Sequence, residues 1–412
     1  MKEKKLFYGW YIVGGSVLIT CTMVPLIMSL SSKFLLQVTQ EMGISRSSFT
    51  LSNTILQALG IFLSPIVSKR LVKGNMRKIQ CFSILGFVAA YASYSLAQNV
   101  YHLYLSSLLV GFFYLNSALI PVSMMITNWF NKKRGVAMSL AMAGIGLGGF
   151  LFSPVVTYLL GAFGWRNTYR IMAEIVLVVA FPAAFFILKK KPEDMGLKPY
   201  GFDETPDSST RKNTGASGIR LTVGESRSQL FFYLLLLGMI SNGIINSGAL
   251  GQFPPALEEL QGPAVQAAII SMYSLIGIFG KLLLGWLNDR FGIVISTTLG
   301  CISFGLSFCF MLLGSNVTML YIMALCFGFG NAIGTVTPPL IVSSVYGSEK
   351  YGEAYGITNS IMQAGLSAGS LLVASLYDIS GSYRIAWMLL LILSGTTLIG
   401  WAGAYISSRK YG

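Results

Sequence analysis

The sequence has few charged residues. Asp, Glu, Lys and Arg make up 11% of the 412 residues, against about a quarter in a typical soluble protein. Hydrophobic residues make up 54%, and they form continuous runs rather than alternating with a period of two. The composition therefore excludes a soluble globular protein and indicates an integral membrane protein built from helices.

Residues that carry catalytic or metal chemistry are scarce within the apolar runs. The single histidine, His102, begins the fourth run and is expected to be interfacial. Glu174 is the one carboxylate clearly inside a run, and Arg170, one helical turn earlier, is its predicted ion-pair partner. The five cysteines all fall in apolar runs and predict neither a disulfide framework nor a metal site. We expect no enzyme activity, no metal and no cofactor.

The chain contains twelve apolar runs, each long enough for a transmembrane helix. One long polar linker, rich in Gly, Pro and Ser, separates the sixth run from the seventh. We predict an N-terminal six-helix bundle at residues 1–188, a cytoplasmic linker at residues 189–228 and a C-terminal six-helix bundle at residues 229–412. The first run follows a basic start like that of a signal peptide, but it continues past Pro25 without a small-residue cleavage site, so we expect it to be retained.

The basic residues are distributed unequally between the two sides of the membrane. Of the 29 Lys and Arg residues, 23 fall on the side that carries both termini and the linker, among them Lys2, Lys4 and Lys5, and 5 fall on the other side. Because basic residues collect on the cytoplasmic side, we predict a multi-pass protein of the cytoplasmic (inner) membrane with both termini cytoplasmic. This distribution accounts for the net charge of +14 without a nucleic-acid partner.

The two halves of the sequence repeat at a constant offset of 217 residues. The offset superposes glycines and prolines of the two halves in pairs, which include Gly111 and Gly328, Pro121 and Pro338, Gly135 and Gly352, Gly148 and Gly365, and Gly164 and Gly381. It preserves helix and loop lengths together, which predicts two pseudo-symmetric six-helix bundles. Such internal duplication is typical of secondary transporters.

Several motifs carry a family resemblance. The stretch GWLNDRFG at residues 285–292 resembles the G-x-L-x-D-R-x-G signature of the major facilitator superfamily. The stretches GISRSS, WFNKKRGVAMS, GWRNTYR, KKKPEDMGLKPYG and YGEAYG make the chain similar to the oxalate/formate antiporter group and its monocarboxylate-transporter relatives. The resemblance covers essentially the whole chain. It implies the major facilitator fold and a secondary active transporter that moves a small organic anion, a mono- or dicarboxylate, by alternating access.

The signature predicts a gate formed by Asp289, Arg290, Gly285 and Gly292. A carboxylate at a helix end can contact the N-terminus of a neighbouring helix, and an arginine can bridge to another helix. Such contacts bias which side of a transporter is open if they break in the other arrangement. The alternative is an ordinary solvated turn. The equivalent first-half stretch, SPIVSKRLVKG, lacks the Asp, so we expect the second copy to dominate.

Lys281 is the central candidate for substrate binding. It lies eight residues before Asp289, or roughly 12 Å along a helix, and this places it near the middle of the bilayer. A charge there costs about 3 kcal/mol on insertion scales, so it usually faces a cavity or a partner. In the resembled group a cationic residue on this helix, most often Arg, binds the substrate carboxylate. The alternative is a lysine that snorkels to the inner interface.

The resemblance also bears on proton coupling. Relatives that cotransport protons carry an Asp one helical turn before their cation, whereas Gly277 stands there in this sequence. The resemblance therefore favours anion exchange or uniport over a proton relay.

A carboxylate site around Lys281 also needs neutral hydrogen-bond donors. The candidates inside the apolar runs are Tyr114, Asn116, Asn242, Asn246, Asn331, Asn359 and Gln363. We select Tyr114, Asn331 and Gln363 as a group. For each amide, an interhelical hydrogen bond is the alternative.

Two other functions remain open. The chain could transport a neutral or amphipathic solute, or it could be a membrane sensor that binds ligand without transport. Besides the organic anion, the expected partners are the lipid bilayer and a counter-anion or proton, and we expect a monomer.

Overall fold

The structure is a computed structural model that describes residues 7–202, 218–314 and 316–411. Lys2, Lys4 and Lys5, and the central part of the predicted linker at residues 203–217, lie outside the described residues. Within the described ranges, the chain is helical apart from turns, connections and one isolated bridge between Phe130 and Tyr200.

The first half contains seven α-helices among the described residues. They are α1 (Gly9–Met28), α2 (Leu35–Met42), α3 (Arg46–Lys73), α4 (Met76–Ser93), α5 (Val100–Ser117), α6 (Leu119–Trp129) and α7 (Arg134–Pro182). Helix α7 consists of two helices joined across a kink at Gly164, where φ is 72°. A π-helical turn, Ala183–Ile187, follows it.

The second half also contains seven α-helices among the described residues. They are α8 (Val223–Ser226), α9 (Leu230–Gln261), α10 (Pro263–Phe291), α11 (Ile293–Leu312), α12 (Val317–Gly330), α13 (Ile333–Ser380) and α14 (Arg384–Ser408). Helix α13 is kinked at Gly347, where φ is 70°. Glycine adopts these positive φ angles without the steric cost that a Cβ would add.

Ten helical stretches of the described residues are long and apolar enough to cross a membrane. Two of them, Arg134–Ile187 and Val317–Ser380, each contain one of the two kinks and divide into two. The ten stretches therefore account for twelve spans. The predicted fold class, an all-α membrane protein with twelve transmembrane helices, is confirmed.

The chain divides into two compact units. The first comprises Met1–Lys132 and Leu140–Thr205, and the second comprises Lys133–Ser139 and Pro206–Gly412. The start of α7 therefore groups with the second unit, which the sequence did not predict. The predicted boundaries at residues 188, 189–228 and 229 stay a prediction.

Each unit contains one especially close helix pair that small residues make possible. In the first unit, a methyl group on Gly148 of α7 would overlap the carbonyl oxygen of Cys21 in α1. In the second unit, a methyl group on Gly365 of α13 would overlap the carbonyl oxygen of Ile240 in α9. Gly148 and Gly365 are related by the 217-residue offset, so the same packing recurs in both units.

Candidate functional site

One transmembrane span is interrupted in each unit, at Ala118, whose backbone is non-helical, and at Asn331 and Ala332, which keep helical dihedral angles. In the first unit α5 ends at Ser117 and α6 begins at Leu119; in the second, α12 ends at Gly330 and α13 begins at Ile333. Pro121 and Pro338 follow the two breaks. A proline lacks the N–H group that would bond to the carbonyl four residues earlier. Discontinuous helices at matching positions are where transporters place their substrate sites.

In the first unit, the amide donors at the break are engaged, whereas the side-chain oxygens of Gln80 and Asn116 have no partner among the described residues. The buried Gln80 of α4 donates from Nε2 to the carbonyl oxygen of Ser117, four residues before Pro121, at 2.8 Å. Asn116 is buried and donates from Nδ2 to the Phe112 carbonyl at 2.8 Å. Tyr114 is buried in the last turn of α5. Gln80 was not predicted from the sequence. The available indication was Pro121, which leaves the Ser117 carbonyl without an intrahelical donor and so favours a donor from another helix.

In the second unit, the polar groups at the break are less engaged. Asn331 is half-buried, and its side chain makes no hydrogen bond to any residue within the described ranges. One helical turn later, the hydroxyl of Thr335 is buried and likewise has no hydrogen-bond partner among the described residues. Thr335 was missed from the sequence, and its spacing of four from Asn331 was the available signal.

Lys281 lies on the packed side of α10, together with Gly277, Gly280, Leu284 and Gly285, and it is 7% exposed. Its ammonium group makes no hydrogen bond and no ion pair with any residue that the structure describes. The structure thus places a cationic side chain inside the second unit without a protein counter-charge in the described part of the chain.

The position of Lys281 along α10 is set by a glycine contact. A methyl group on Gly280 would lie 2.9 Å from the Cα atom of Phe329, near the end of α12. Lys281 and Asn331 therefore occupy the same level on neighbouring helices.

Asn242 and Asn246 of α9 bond to each other and to α13. The Nδ2 atom of Asn246 donates to the carbonyl oxygen of Asn242 at 2.9 Å and to its Oδ1 atom at 3.0 Å. The Nδ2 atom of Asn242 lies 3.8 Å from the sulfur of Met362 on α13. Gly334 packs directly against the Asn246 amide. Asn242 thus makes an interhelical contact of the kind that we named as the alternative to ligand binding, whereas the bonds of Asn246 lie within α9.

The remaining candidates on α13 are Asn359 and Gln363. Asn359 is buried, whereas Gln363 is half-buried. The Gln363 side chain makes no hydrogen bond to another described residue, although its main-chain carbonyl accepts one from Ser367.

The contacts described above connect helix α9 with α13 and helix α10 with α12 in the second unit. We call the set Lys281, Asn331, Asn242, Asn246 and Gln363 the polar belt. Of these, Lys281, Asn331 and Gln363 retain hydrogen-bonding groups that no described residue occupies. Of the three other predicted donors, Tyr114 and Asn116 belong to the first unit, and Asn359 lies on α13 of the second.

Asp289 caps the start of α7. The backbone N–H of Gly135 donates to Oδ1 at 2.7 Å, and that of Val136 donates to Oδ2 at 2.8 Å. N–H groups in a first helical turn have no intrahelical partner, and the helix dipole favours a negative charge there. Gly285 packs against Gly135 and Ser139, where a side chain would clash. These contacts lie within the second unit.

The neighbours of Asp289 differ in their contacts. Arg134 interacts electrostatically with the Asp289 carboxylate. It was not predicted from the sequence, although it lies in the basic stretch NKKRG. The Arg290 guanidinium packs over the rings of Trp286 and Phe291, 5.5 and 5.6 Å from their centroids. It makes no ion pair with another helix in the described part of the chain. Gly292, with φ of 86°, ends α10.

The predicted ion pair between Arg170 and Glu174 is wrong. The Nε atom of Arg170 instead donates to the hydroxyl of Ser95 at 3.0 Å, and no described residue pairs with Glu174. Arg166 pairs with Glu41 at 3.0 Å and also donates to two main-chain carbonyls. Tertiary partners on other elements therefore bind both arginines in place of the neighbour one helical turn away.

A family model supports the assignment that the fold suggests. The model for the Major Facilitator Superfamily matches residues 12–370 and 235–410. Curated proteins similar to the chain include Monocarboxylate transporter 12 of Mus musculus, which is 24% identical over 93% of this chain and 82% of its own length. Monocarboxylate transporter 13 of Rattus norvegicus is 23% identical over 76% of this chain and 68% of its own length.

Solved structures share the fold at low sequence identity. FucP in its outward conformation gives a TM-score of 0.69 at 13% identity and covers 96% of this chain and 99% of its own. The human organic anion transporter MFSD10 (TETRAN) gives a TM-score of 0.67 at 15% identity and covers 96% of this chain and 97% of its own. With the family model matching almost the whole sequence, the chain belongs to the Major Facilitator Superfamily of membrane transporters.

Proposed function

We propose that the protein is a secondary active transporter that moves a small organic anion across the cytoplasmic membrane by alternating access, and that Lys281 binds the anion's carboxylate. One observation carries the proposal: the Lys281 ammonium is buried in the second unit and has no counter-charge among the described residues. Burying an ionised group without a partner is costly. A carboxylate that enters the polar belt would offset that cost, because it supplies the missing opposite charge.

The neutral groups of the polar belt suit such a ligand. Asn331 and Gln363 have amide groups that no described residue occupies, and an amide N–H₂ can donate to a carboxylate oxygen or to a substituent on the anion. A single ammonium matches one carboxylate. The similarity to proteins named monocarboxylate transporters agrees with that charge count. We therefore favour monocarboxylates over dicarboxylates.

The same residues guide our proposal for coupling. Lysine is a point charge that binds a carboxylate less directionally than arginine does. One ammonium could therefore bind the substrate and a counter-anion in turn. Gly277 occupies the position one turn before Lys281 and offers no proton acceptor. We propose antiport or uniport, with a counter-anion as the preferred coupling partner, and cytoplasmic termini as the basic residues predict.

We further propose that Asp289 is part of the gate. Its contact with the N-terminal amides of α7 is charge-assisted. A contact of this kind stabilises the arrangement in which it forms, and breaking it favours another arrangement.

Uptake into proteoliposomes tests the proposal. Purified protein is reconstituted and assayed with labelled mono- and dicarboxylates, with and without an anion inside the vesicles. We expect Lys281→Ala to lower monocarboxylate uptake at least about tenfold, because a hydrogen bond to a charged group contributes about 1.5–3 kcal/mol. Lys281→Arg keeps the charge and should retain part of the uptake.

The control is Lys33→Ala, which removes one partly exposed ammonium of the first unit and should leave uptake within about twofold of wild type, since polar contacts at the surface contribute little. Carboxylate uptake by Lys281→Ala at the wild-type rate would remove Lys281 from the site. Uptake of neutral solutes alone, or binding without uptake, would favour the neutral-solute transporter or the sensor instead.

A further inference from the structure

The turn between α3 and α4 carries a concentrated positive charge with no acidic residue near it in sequence. Lys69, Arg70, Lys73 and Lys78 are exposed at this turn. No Asp or Glu occurs anywhere between Glu41 and Glu174. The turn therefore presents a positively charged surface to which an anionic group from outside this stretch of the chain could bind.

Two further basic groups at the turn are already engaged and hold it in place. The Arg77 guanidinium donates to the carbonyl oxygen of Phe185 and lies 4.8 Å from the centroid of the Phe185 ring. The Lys190 ammonium donates to the carbonyl oxygens of Val72 and Gly74. The exposed side chains of Arg70, Lys73 and Lys78, in contrast, make no hydrogen bond or ion pair with a described residue. They remain available to a ligand.

Each of the two helices places a lysine at the end of an exposed apolar stripe. On α3, Phe62 and Ile66 are 73% and 61% exposed and share a face with Arg70 and Lys73, which follow Phe62 by eight and eleven residues. Because both apolar residues lie in a transmembrane helix, the stripe faces lipid chains and the basic residues lie at the headgroup end.

Helix α4 repeats this arrangement in the opposite direction. Phe82 and Leu85 are 67% and 45% exposed, and Lys78 precedes them at spacings of four and seven residues on the same face. The two stripes meet at the α3–α4 turn, so their lysines lie at the same membrane boundary.

We propose that the α3–α4 turn is a binding site for an anionic phospholipid of the leaflet that the basic residues predict to be cytoplasmic. Arg70, Lys73 and Lys78 bind the headgroup phosphate, and the apolar stripes of α3 and α4 contact the acyl chains. The apolar stripes distinguish this ligand from a soluble phosphate or an acidic protein segment, neither of which would use Phe62 or Phe82. Juxtamembrane Lys and Arg residues each strengthen binding to an anionic surface by about fivefold.

Native mass spectrometry of the full-length protein in a neutral detergent tests the site. The probes are phosphatidylglycerol and phosphatidylcholine of identical acyl chains, and inorganic phosphate. We expect wild-type protein to retain phosphatidylglycerol in preference to phosphatidylcholine. The triple variant Arg70→Gln, Lys73→Gln, Lys78→Gln should lose about fivefold in phosphatidylglycerol affinity for each basic residue removed.

A matched control removes the same charge elsewhere. The triple variant Arg220→Gln, Arg409→Gln, Lys410→Gln alters three exposed basic residues of the second unit, and we expect it to bind phosphatidylglycerol as the wild type does. Equal losses in the two triple variants would overturn the proposal, because binding would then follow net charge alone. Retention of inorganic phosphate as strong as that of the lipid would overturn it in favour of a soluble anion.

Folding of the variants is checked by size-exclusion chromatography. If the triple variant at the α3–α4 turn does not fold, the single variants Lys73→Gln and Lys78→Gln decide the question, each with an expected loss of about fivefold. Replacement of Lys73 and Lys78 by arginine keeps the charge and should preserve lipid binding. Unchanged affinity in both single variants would contradict the proposal.

Discussion

The α3–α4 turn of the first unit and the α10–α11 turn of the second occupy equivalent places in the sequence repeat. They differ in the charged side chains that they carry. Asp289 in the second turn corresponds to Val72 in the first at the 217-residue offset. The carboxylate binds two backbone amides at the start of α7, whereas the first turn carries exposed basic side chains. Duplication has preserved the helix lengths, and each turn has acquired its own partner.

The two broken spans show the same divergence. In the first unit, Gln80 satisfies the carbonyl that Pro121 leaves without an intrahelical donor. Its equivalent in the second unit is Thr297, whose hydroxyl is buried without a partner among the described residues. The first unit thus supplies its break with an amide donor, although the Oε1 atom of Gln80 has no partner among the described residues. In the second unit, the side chains of Asn331 and Thr335 have no hydrogen-bond partner in the described part of the chain.

The largest effect on stability is expected from the glycines that pack closely against a neighbouring helix in each unit. Gly148→Ala and Gly365→Ala each drive a methyl group into a backbone carbonyl. We expect each to lower the free energy of unfolding by about 3 kcal/mol, since overpacking forces backbone shifts. Thermal unfolding of the purified variants measures the effect.

Two glycines serve as controls for this prediction. A Cβ added to Gly161 in α7 or to Gly395 in α14 would meet no atom of another described element within 4 Å, so Gly161→Ala and Gly395→Ala should be neutral or slightly stabilising. A loss of stability at Gly148 but not at Gly365 would show that the two helix pairs are not equivalent.

The next largest effect is expected at the hydrogen bond of the first break, which has no counterpart among the described residues of the second unit. Gln80→Leu leaves the buried carbonyl of Ser117 without its donor, which should cost about 2 kcal/mol. Thr297→Val removes a hydroxyl that has no partner among the described residues and should be nearly neutral. Thermal unfolding of both variants measures the difference, and equal losses would contradict the proposed contrast between the breaks.

The smallest expected effect concerns the charge at the second turn. Asp289→Asn keeps the size of the side chain but removes the charge that interacts with the α7 dipole, which should cost about 1 kcal/mol. We expect a small drop in thermal stability together with a changed uptake rate. Val72→Asn places the same residue at the equivalent first-half position and should change neither. An uptake rate that Asp289→Asn leaves unaltered would argue against a gating role.

Much of the architecture could be predicted from the sequence. Twelve apolar runs and the constant 217-residue offset predicted the all-α membrane fold, and the signature at residues 285–292 indicated the superfamily. Hydropathy is reliable here because a backbone in lipid must satisfy its hydrogen bonds internally, which leaves helices as the main solution.

Pairwise contacts were harder to predict. The expected pair of Arg170 and Glu174 follows helix spacing, but Ser95 lies close enough in three dimensions to accept the Arg170 hydrogen bond instead. Gln80, Arg134 and Thr335 were missed, because their importance depends on which backbone groups and charges lie opposite them. The substrate role of Lys281 stays a prediction.

The sequence by itself determined the number of spans, the duplication and the presence of a lysine deep in an apolar helix, because these are properties of local composition and spacing. Only the tertiary structure decided that this lysine is buried within the second unit, that Asp289 meets the start of α7, and that Gln80 donates to the carbonyl at the first break. Those facts depend on which helices pack side by side, and residues far apart in the sequence set that packing.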